Sequence, residues 1–175
     1  MQLDGLDTPA LLIDLDRVEA NLQRVASYAA EHNLRLRPHT TTHKSPAFGR
    51  MQLATGAAGL TVAKVSEAEV MVRANPPDLL IAYPVLGERK LARLVEVARQ
   101  VPLTVSLDSL TAAAPLAAAA RAGGVEIGVL AEFDVGQGRV GVNPGDELRT
   151  LIEGIRKLAG LRWRGITFYT GHIKT

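Results

Sequence analysis

The chain has 175 residues, 47% of them hydrophobic and 22% charged, with 20 basic against 18 acidic side chains and a net charge of +2. That balance is ordinary for globular domains and excludes intrinsic disorder; scattered basic residues and 4% aromatics give no footprint for nucleic acid. No cysteine is present, which excludes disulfides and thiolate metal sites and fits a reducing cytoplasm; no apolar run reaches the roughly 18 residues of a membrane span.

The chain opens on an apolar run, TPALLIDLD. Asp16 followed by Glu19 predicts an N-cap and its partner, opening a helix through about Ala30 with Val18, Leu22, Val25 and Ala29 on one stripe. Strands are predicted at Leu34–Arg37, Gly59–Ala63, Asp78–Tyr83, Pro102–Leu107, Val125–Asp134 and Arg162–Tyr169, each a short apolar or alternating run near turn residues. Helical patterns fill the gaps. Ser66 with Glu69 reads as a capping box, and Asn75-Pro76-Pro77 as that helix's stop. Leu91, Leu94, Val95 and Ala98 mark a further helix. An Ala-rich helix spans about 112–122, with Pro115 implying a late start. Leu148, Leu151, Ile152, Ile155 and Leu158 mark the last helix.

Strands alternating with helices at this spacing predict βαβ units and a parallel sheet. The architecture is then a (β/α) barrel or a doubly wound sheet. A complete eight-stranded barrel takes about 250 residues. The barrel reading therefore implies a partial barrel with six strands present, and the alternative is a complete open sheet.

In either fold, chemistry sits at the carboxyl ends of the strands. The first such stretch is RPHTTTHK, Arg37 to Lys44. If the Thr run is extended, His39, Thr41 and His43 share one face. The two His give too few ligands for zinc, so no metal site is expected. Lys64, Tyr83-Pro84 and Asp108 follow the next three strands. The fifth strand ends in EFDVGQGRVGV, where Gly136, Gly138 and Gly141 match G-x-G-x-x-G. No helix opens inside that motif, because Asn143-Pro144-Gly145 breaks the chain behind it, so a dinucleotide loop is not expected. The better reading is a loop that aims Arg139 at an anion or a ring oxygen. Tyr169 and His172 close the sixth strand. No G-x-S-x-G elbow or Walker loop occurs.

In order, TPALLIDLDRVEANL, RLRPHTTTHKS, GLTVAKVSEAEVM, DLLIAYPV, VSLDS, EFDVGQGRVGV and RGITFYTGHI resemble the D-threonine aldolase and D-serine dehydratase-like family. That family is similar to the N-terminal domain of alanine racemase, of the type III fold of pyridoxal 5'-phosphate enzymes. The resemblance implies an α/β fold: a partial (β/α)8 TIM-type barrel of the alanine racemase N-terminal kind, with about six of eight strands. It divides the chain into residues 1–15, a strand joining a β-domain absent from this sequence, and residues 16–175, an incomplete barrel. It implies a cytoplasmic homodimer, a small D-amino acid substrate, pyridoxal phosphate at the strand ends, and a divalent metal whose ligands lie outside this chain.

One departure stands out. The family pattern R-P-H-x-K-T-H-K places its Schiff-base lysine where this chain has Thr41. A hydroxyl cannot form an imine, and a missing base alone costs roughly 10²–10⁴-fold in rate. Strand alternation would turn Lys44 to the opposite face, and Lys64 matches another family lysine. The resemblance places Arg139 at the cofactor's phenolic oxygen, Tyr169 against the pyridine ring with His172 close by, and His43 near the substrate. Three readings follow: a lyase on β-hydroxy D-amino acids, aldolase or dehydratase, inactive as it stands; a non-catalytic pyridoxal phosphate binder; or an open-sheet domain binding an anion at the glycine loop. A racemase shares the fold.

Overall fold

A computed structural model describes residues 5–173. Five strands form one parallel sheet: β1 (Leu60–Val62), β2 (Leu79–Ile81), β3 (Leu103–Leu107), β4 (Ile127–Glu132) and β5 (Leu161–Thr167). Six α-helices accompany them: α1 (Leu15–Glu31), α2 (Pro46–Ala54), α3 (Val65–Met71), α4 (Glu88–Ala98), α5 (Leu110–Ala122) and α6 (Asp146–Arg156). The sheet order is β1-β2-β3-β4-β5, the order of the chain. Right-handed crossovers that always add the next strand on the same side keep the helices on one face. A doubly wound sheet reverses direction partway, so the fold is barrel-type α/β.

The register explains the two faces. Leu60, Leu79 and Leu103 are cross-strand partners, as are Val62, Ile81, Val105 and Val129. These side chains join Met71, Leu94, Leu116 and Ile155 from the helices in one buried core. The alternating positions Thr61, Thr104, Ser106 and Glu132 are also buried, but polar. They occupy the opposite, inner face of the sheet, because successive strand residues alternate sides.

Local chemistry moves several predicted boundaries. Residues 34–37 form no strand. Ala58 N–H donates to Leu36 O, Thr61 N–H to Pro38 O and Thr40 N–H to Thr61 O, so the segment runs beside β1, yet only His39 bridges to Thr61. The alternate donor in that ladder would be Pro38, which has no N–H. The first helix is capped by Asp14, whose carboxylate accepts Arg17 N–H at 3.1 Å, rather than by Asp16, which lies in the first turn. Ser66 and Glu69 form no capping box; Lys64 is the N-cap of α3, and Glu69 instead pairs with Arg93 on α4. The Ala-rich helix starts at Leu110 despite Pro115, because Ser109 Oγ accepts Ala112 N–H at 3.3 Å. The apolar run at the start makes no strand among the described residues, and its Leu11 is 91% exposed.

At the amino ends of the strands, one carboxylate ties the sheet together. Asp78, just before β2, meets Arg37 at 2.8 Å and Arg164 of β5 at 3.7 Å. Arg164 lies over Gly128, where a Cβ would meet its Cγ at 3.1 Å and Thr104 Oγ1 at 2.7 Å. Glycine in β4 thus makes room for an arginine crossing the inner face. Removing one partner of a shielded ion pair strands the others. Asp78→Ala is expected to cost about 2 kcal/mol, read as a Tm about 4–8 °C lower. Arg149→Ala, which breaks an exposed pair with Asp146, should move Tm far less. Equal shifts for the two variants would refute the bridging role of Asp78.

Candidate active site

A cavity of about 570 Å³ opens at the carboxyl ends of the strands, on the polar inner face. Its lining includes His39, Thr41, Ser106, Glu132, Arg139 and Tyr169.

Thr41 reaches the cavity from a turn. Residues 41–43 form a turn rather than a continued strand, and Lys44 takes a left-handed backbone with φ +50°. The expectation that His39, Thr41 and His43 share an extended face therefore fails, because the turn ends the period-two alternation. His39 and Thr41 line the cavity; His43 does not. The His43 Nδ1 accepts Ser45 N–H at 3.0 Å, and its ring packs edge-on against Phe48. It lines a separate cavity of about 260 Å³ with Ile13, Val18 and Leu22.

The turn is tied down by Glu67. Its Oε1 accepts from Lys44 Nζ at 2.5 Å, and its Oε2 accepts Ala63 N–H at 2.9 Å. Burial opposes the charge on Glu67, but the Lys44 bond, the Ala63 N–H and the Lys44 and Lys64 charges outweigh it and hold its pKa low. His39 is pushed down by burial, with Glu67 partly offsetting the shift. It therefore favours the neutral imidazole. Lys44 is thus engaged with Glu67, and Lys64 lines another cavity beside Tyr83 and Lys90. Among the described residues, no lysine lines the cavity that holds Thr41.

The glycine-rich loop is folded around its own anion. The Asp134 carboxylate accepts the N–H groups of Gly136, Gln137 and Gly138 at 2.8–2.9 Å. Desolvation opposes the charge, yet these donors and nearby His172 outweigh it and hold Asp134 below the usual carboxylate range. Those N–H groups are therefore taken, which removes them as a cradle for an external anion. Gly141, at φ +101°, closes the loop against β4; a Cβ there would lie 2.5 Å from the Phe133 carbonyl carbon. The result sets Arg139 over the Tyr169 ring, 4.9 Å from its centroid. His172 lies beside Gly136 at the outer side of the loop, and it does not line the cavity.

Sequence reasoning passed over Ser106 and Glu132. Both are polar groups at inward positions of otherwise apolar strands, which was the available signal. Ser106 Oγ and Glu132 Oε2 are buried without a hydrogen-bond partner. Burial and then Asp108 raise the Glu132 pKa, with Arg139 opposing. Among the described residues, no group of three or more His, Asp or Glu side chains could hold a metal ion. No helix among them is long and apolar enough to cross a membrane.

Residues 13–175 match the family described as alanine racemase, N-terminal domain. The D-threonine aldolase of an Arthrobacter species is 38% identical over 172 residues, which is 98% of this chain and 45% of that protein. The D-threo-3-hydroxyaspartate dehydratase of Delftia sp. (strain HT23) is 36% identical over 162 residues, 89% of this chain and 43% of that protein. The crystal structure of D-threonine aldolase from Filomicrobium marinum superposes with a TM-score of 0.91 at 43% identity, covering 94% of this chain and 44% of that one. The chain thus spans less than half the length of these relatives. With the family match and the superposition each covering nearly the whole chain, the protein belongs to the alanine racemase N-terminal domain family.

Proposed function

We propose that this chain forms the barrel part of a lyase for β-hydroxy D-amino acids, and that its cavity receives pyridoxal phosphate without a covalent link. The observation that carries this reading is one cavity lined by Thr41, by Arg139 over the Tyr169 ring, and by two unpartnered buried polar atoms. The donor set fits a flat, polar heteroaromatic ring. It does not fit covalent attachment, because the family's lysine position is read here as Thr41 and the nearby Lys44 is engaged with Glu67. Pyridoxal phosphate, when bound, supplies the electron sink for bonds broken at the α-carbon of an amino acid.

The protein's residues have separable roles in this reading. Arg139 offers a guanidinium to the phenolic oxygen, and Tyr169 both supports that cation and offers a ring face. Neutral His39 and the Thr41 hydroxyl present hydrogen-bonding groups without adding charge. Glu132 and Ser106 form the polar floor. His43 is too far round the turn to line this cavity and acts through the position of residues 41–44. His172 acts on the Asp134 loop. The divalent metal, a homodimer partner and a cytoplasmic setting belong to the same proposal, with the metal's ligands placed in a β-domain outside this chain. A non-catalytic pyridoxal phosphate binder is the second reading, favoured by Thr41 itself.

Borohydride reduction with pyridoxal phosphate, followed by peptide mapping, tests the covalent point on the chain at its full natural length. The parent should give no adduct in the cavity, and Thr41→Lys should give one at position 41. Lyase activity restored in Thr41→Lys supports the lyase scaffold; an adduct without activity supports the binder. No adduct in either protein overturns the reading of the cavity.

The loop gives a second test. A carboxylate whose pKa is lowered on folding contributes stability above its unfolded pKa and loses it as pH falls through the folded value. The contribution of Asp134 to binding should therefore be steady at neutral pH and be lost only in acid below the ordinary aspartate range. Asp134→Asn removes one acceptor oxygen and should weaken ligand binding about fivefold to thirtyfold, read by titration calorimetry. Unchanged binding would mean that Arg139 is not held by this loop.

A further inference from the structure

The inner end of the cavity holds two side chains with nothing to bond to. Ser106 and Glu132 are 1% and 6% exposed. Ser106 Oγ and Glu132 Oε2 lack partners, and both residues line the cavity. Strand pairing sets Ser106 of β3 beside Leu130 of β4. Glu132 follows Leu130 by one period of alternation, so the two polar groups leave the same face of adjacent strands. Folded proteins pair roughly nine in ten buried polar groups, because an unpaired one has lost its water for nothing.

The surroundings select what would complete them. Glu132 faces Asp108 just past β3 and Arg139 on the loop after β4, and His39 and Tyr169 line the same space. Arg139 is engaged with the Tyr169 ring. A further anion near Glu132 and Asp108 would be repelled. A positively charged N–H group would be doubly favoured, by hydrogen bonding and by charge.

We propose that Ser106 and Glu132 form an inner subsite that takes a cationic N–H group of the bound ligand, which donates to Glu132 Oε2 while the Ser106 hydroxyl bonds alongside. The proposal rests on the reading of the cavity as a pyridoxal phosphate site. Two ligand nitrogens have this chemistry: a protonated pyridine ring nitrogen and the ammonium of an amino acid. Binding through either would be strongest with Glu132 ionised. Because burial and Asp108 raise the Glu132 pKa, affinity should fall as pH drops through that raised value.

Titration calorimetry on the chain at its full natural length separates the outcomes. The probes are 4-deoxypyridoxine 5'-phosphate, which has no aldehyde, its analogue with the ring nitrogen replaced by C–H, and D-serine. If the ring nitrogen is the donor, the carbon analogue binds about tenfold to a hundredfold more weakly, as expected for a hydrogen bond to a charged group. Glu132→Gln then erases both that difference and the acid limb of the pH profile. If the ammonium is the donor, the two phosphates bind alike, and Glu132→Gln weakens D-serine instead. Ser106→Ala should reproduce part of either effect. The comparison of the two phosphates on the parent protein needs no variant to fold. Equal binding of both phosphates, with D-serine unaffected by Glu132→Gln, overturns the subsite and leaves the cavity reading standing. Failure of both phosphates to bind overturns the cavity reading and the subsite with it.

Discussion

The arrangement of the cavity depends on one buried carboxylate, that of Glu67. It stands at the start of α3, and its two oxygens hold two different pieces of chain. One takes the N–H of Ala63 just past β1, and the other takes the Lys44 amine from the turn that follows His39. The turn itself is closed by Lys44 N–H donating to Thr40 O at 2.8 Å, and Glu67 ties it to the strand beside it. Pro38 removes a ladder donor, and the left-handed Lys44 costs backbone energy that something must offset. Glu67 contributes to the offset, and its lowered pKa follows from the Lys44 and Ala63 hydrogen bonds that favour the ionised form. Thr41 enters the cavity because this turn is fixed, and the Lys44 amine is engaged for the same reason.

The rest of the site follows from the way a parallel sheet divides its faces. The outward positions of β1 to β4 are apolar and meet the helices, so the inner positions are free to be polar. Near the amino ends that freedom is used for the Arg37–Asp78–Arg164 bridge. Near the carboxyl ends it leaves Ser106 and Glu132 without partners. The contrast is physical. One set joins opposite charges in ion pairs and stabilises; the other places unpartnered polar atoms on the wall of a cavity and has the character of a binding surface.

The parallel βαβ winding was legible in the sequence, because regular alternation of apolar runs and amphipathic helices leaves few topologies; it left a barrel and a doubly wound sheet open, and the family resemblance pointed to the barrel. Five of the six predicted strands are present with shifted ends. The first, at Leu34–Arg37, fell to Pro38, a local defect that hydrophobic pattern does not weigh. The glycine loop was read as aiming Arg139 at an anion or a ring oxygen; in the structure its N–H groups close around Asp134 and Arg139 lies over the Tyr169 ring. His43 was misplaced on geometry because three Thr in a row favour a strand, whereas the Glu67–Lys44 pair, contacts far apart in sequence, bends them into a turn. Ser106 and Glu132 were passed over for a related reason, although each is a polar residue in a mostly apolar strand. A polar residue in a strand reads as solvent-facing until the far side of the sheet is known.

Thr41 can differ from the family's lysine without unmaking the cavity, and the separation of supports explains why. The turn that presents residue 41 is held by Glu67, and the loop that presents Arg139 is held by Asp134. Neither support passes through the side chain at position 41. A lysine there would add a cation and a nucleophile, and a threonine adds a short hydroxyl; the backbone path is set by residues on either side. On the proposed reading, non-covalent recognition and covalent attachment are thus independent properties of this fold. In that reading the first belongs to the sheet, the turn and the loop, and the second resides in a single side chain.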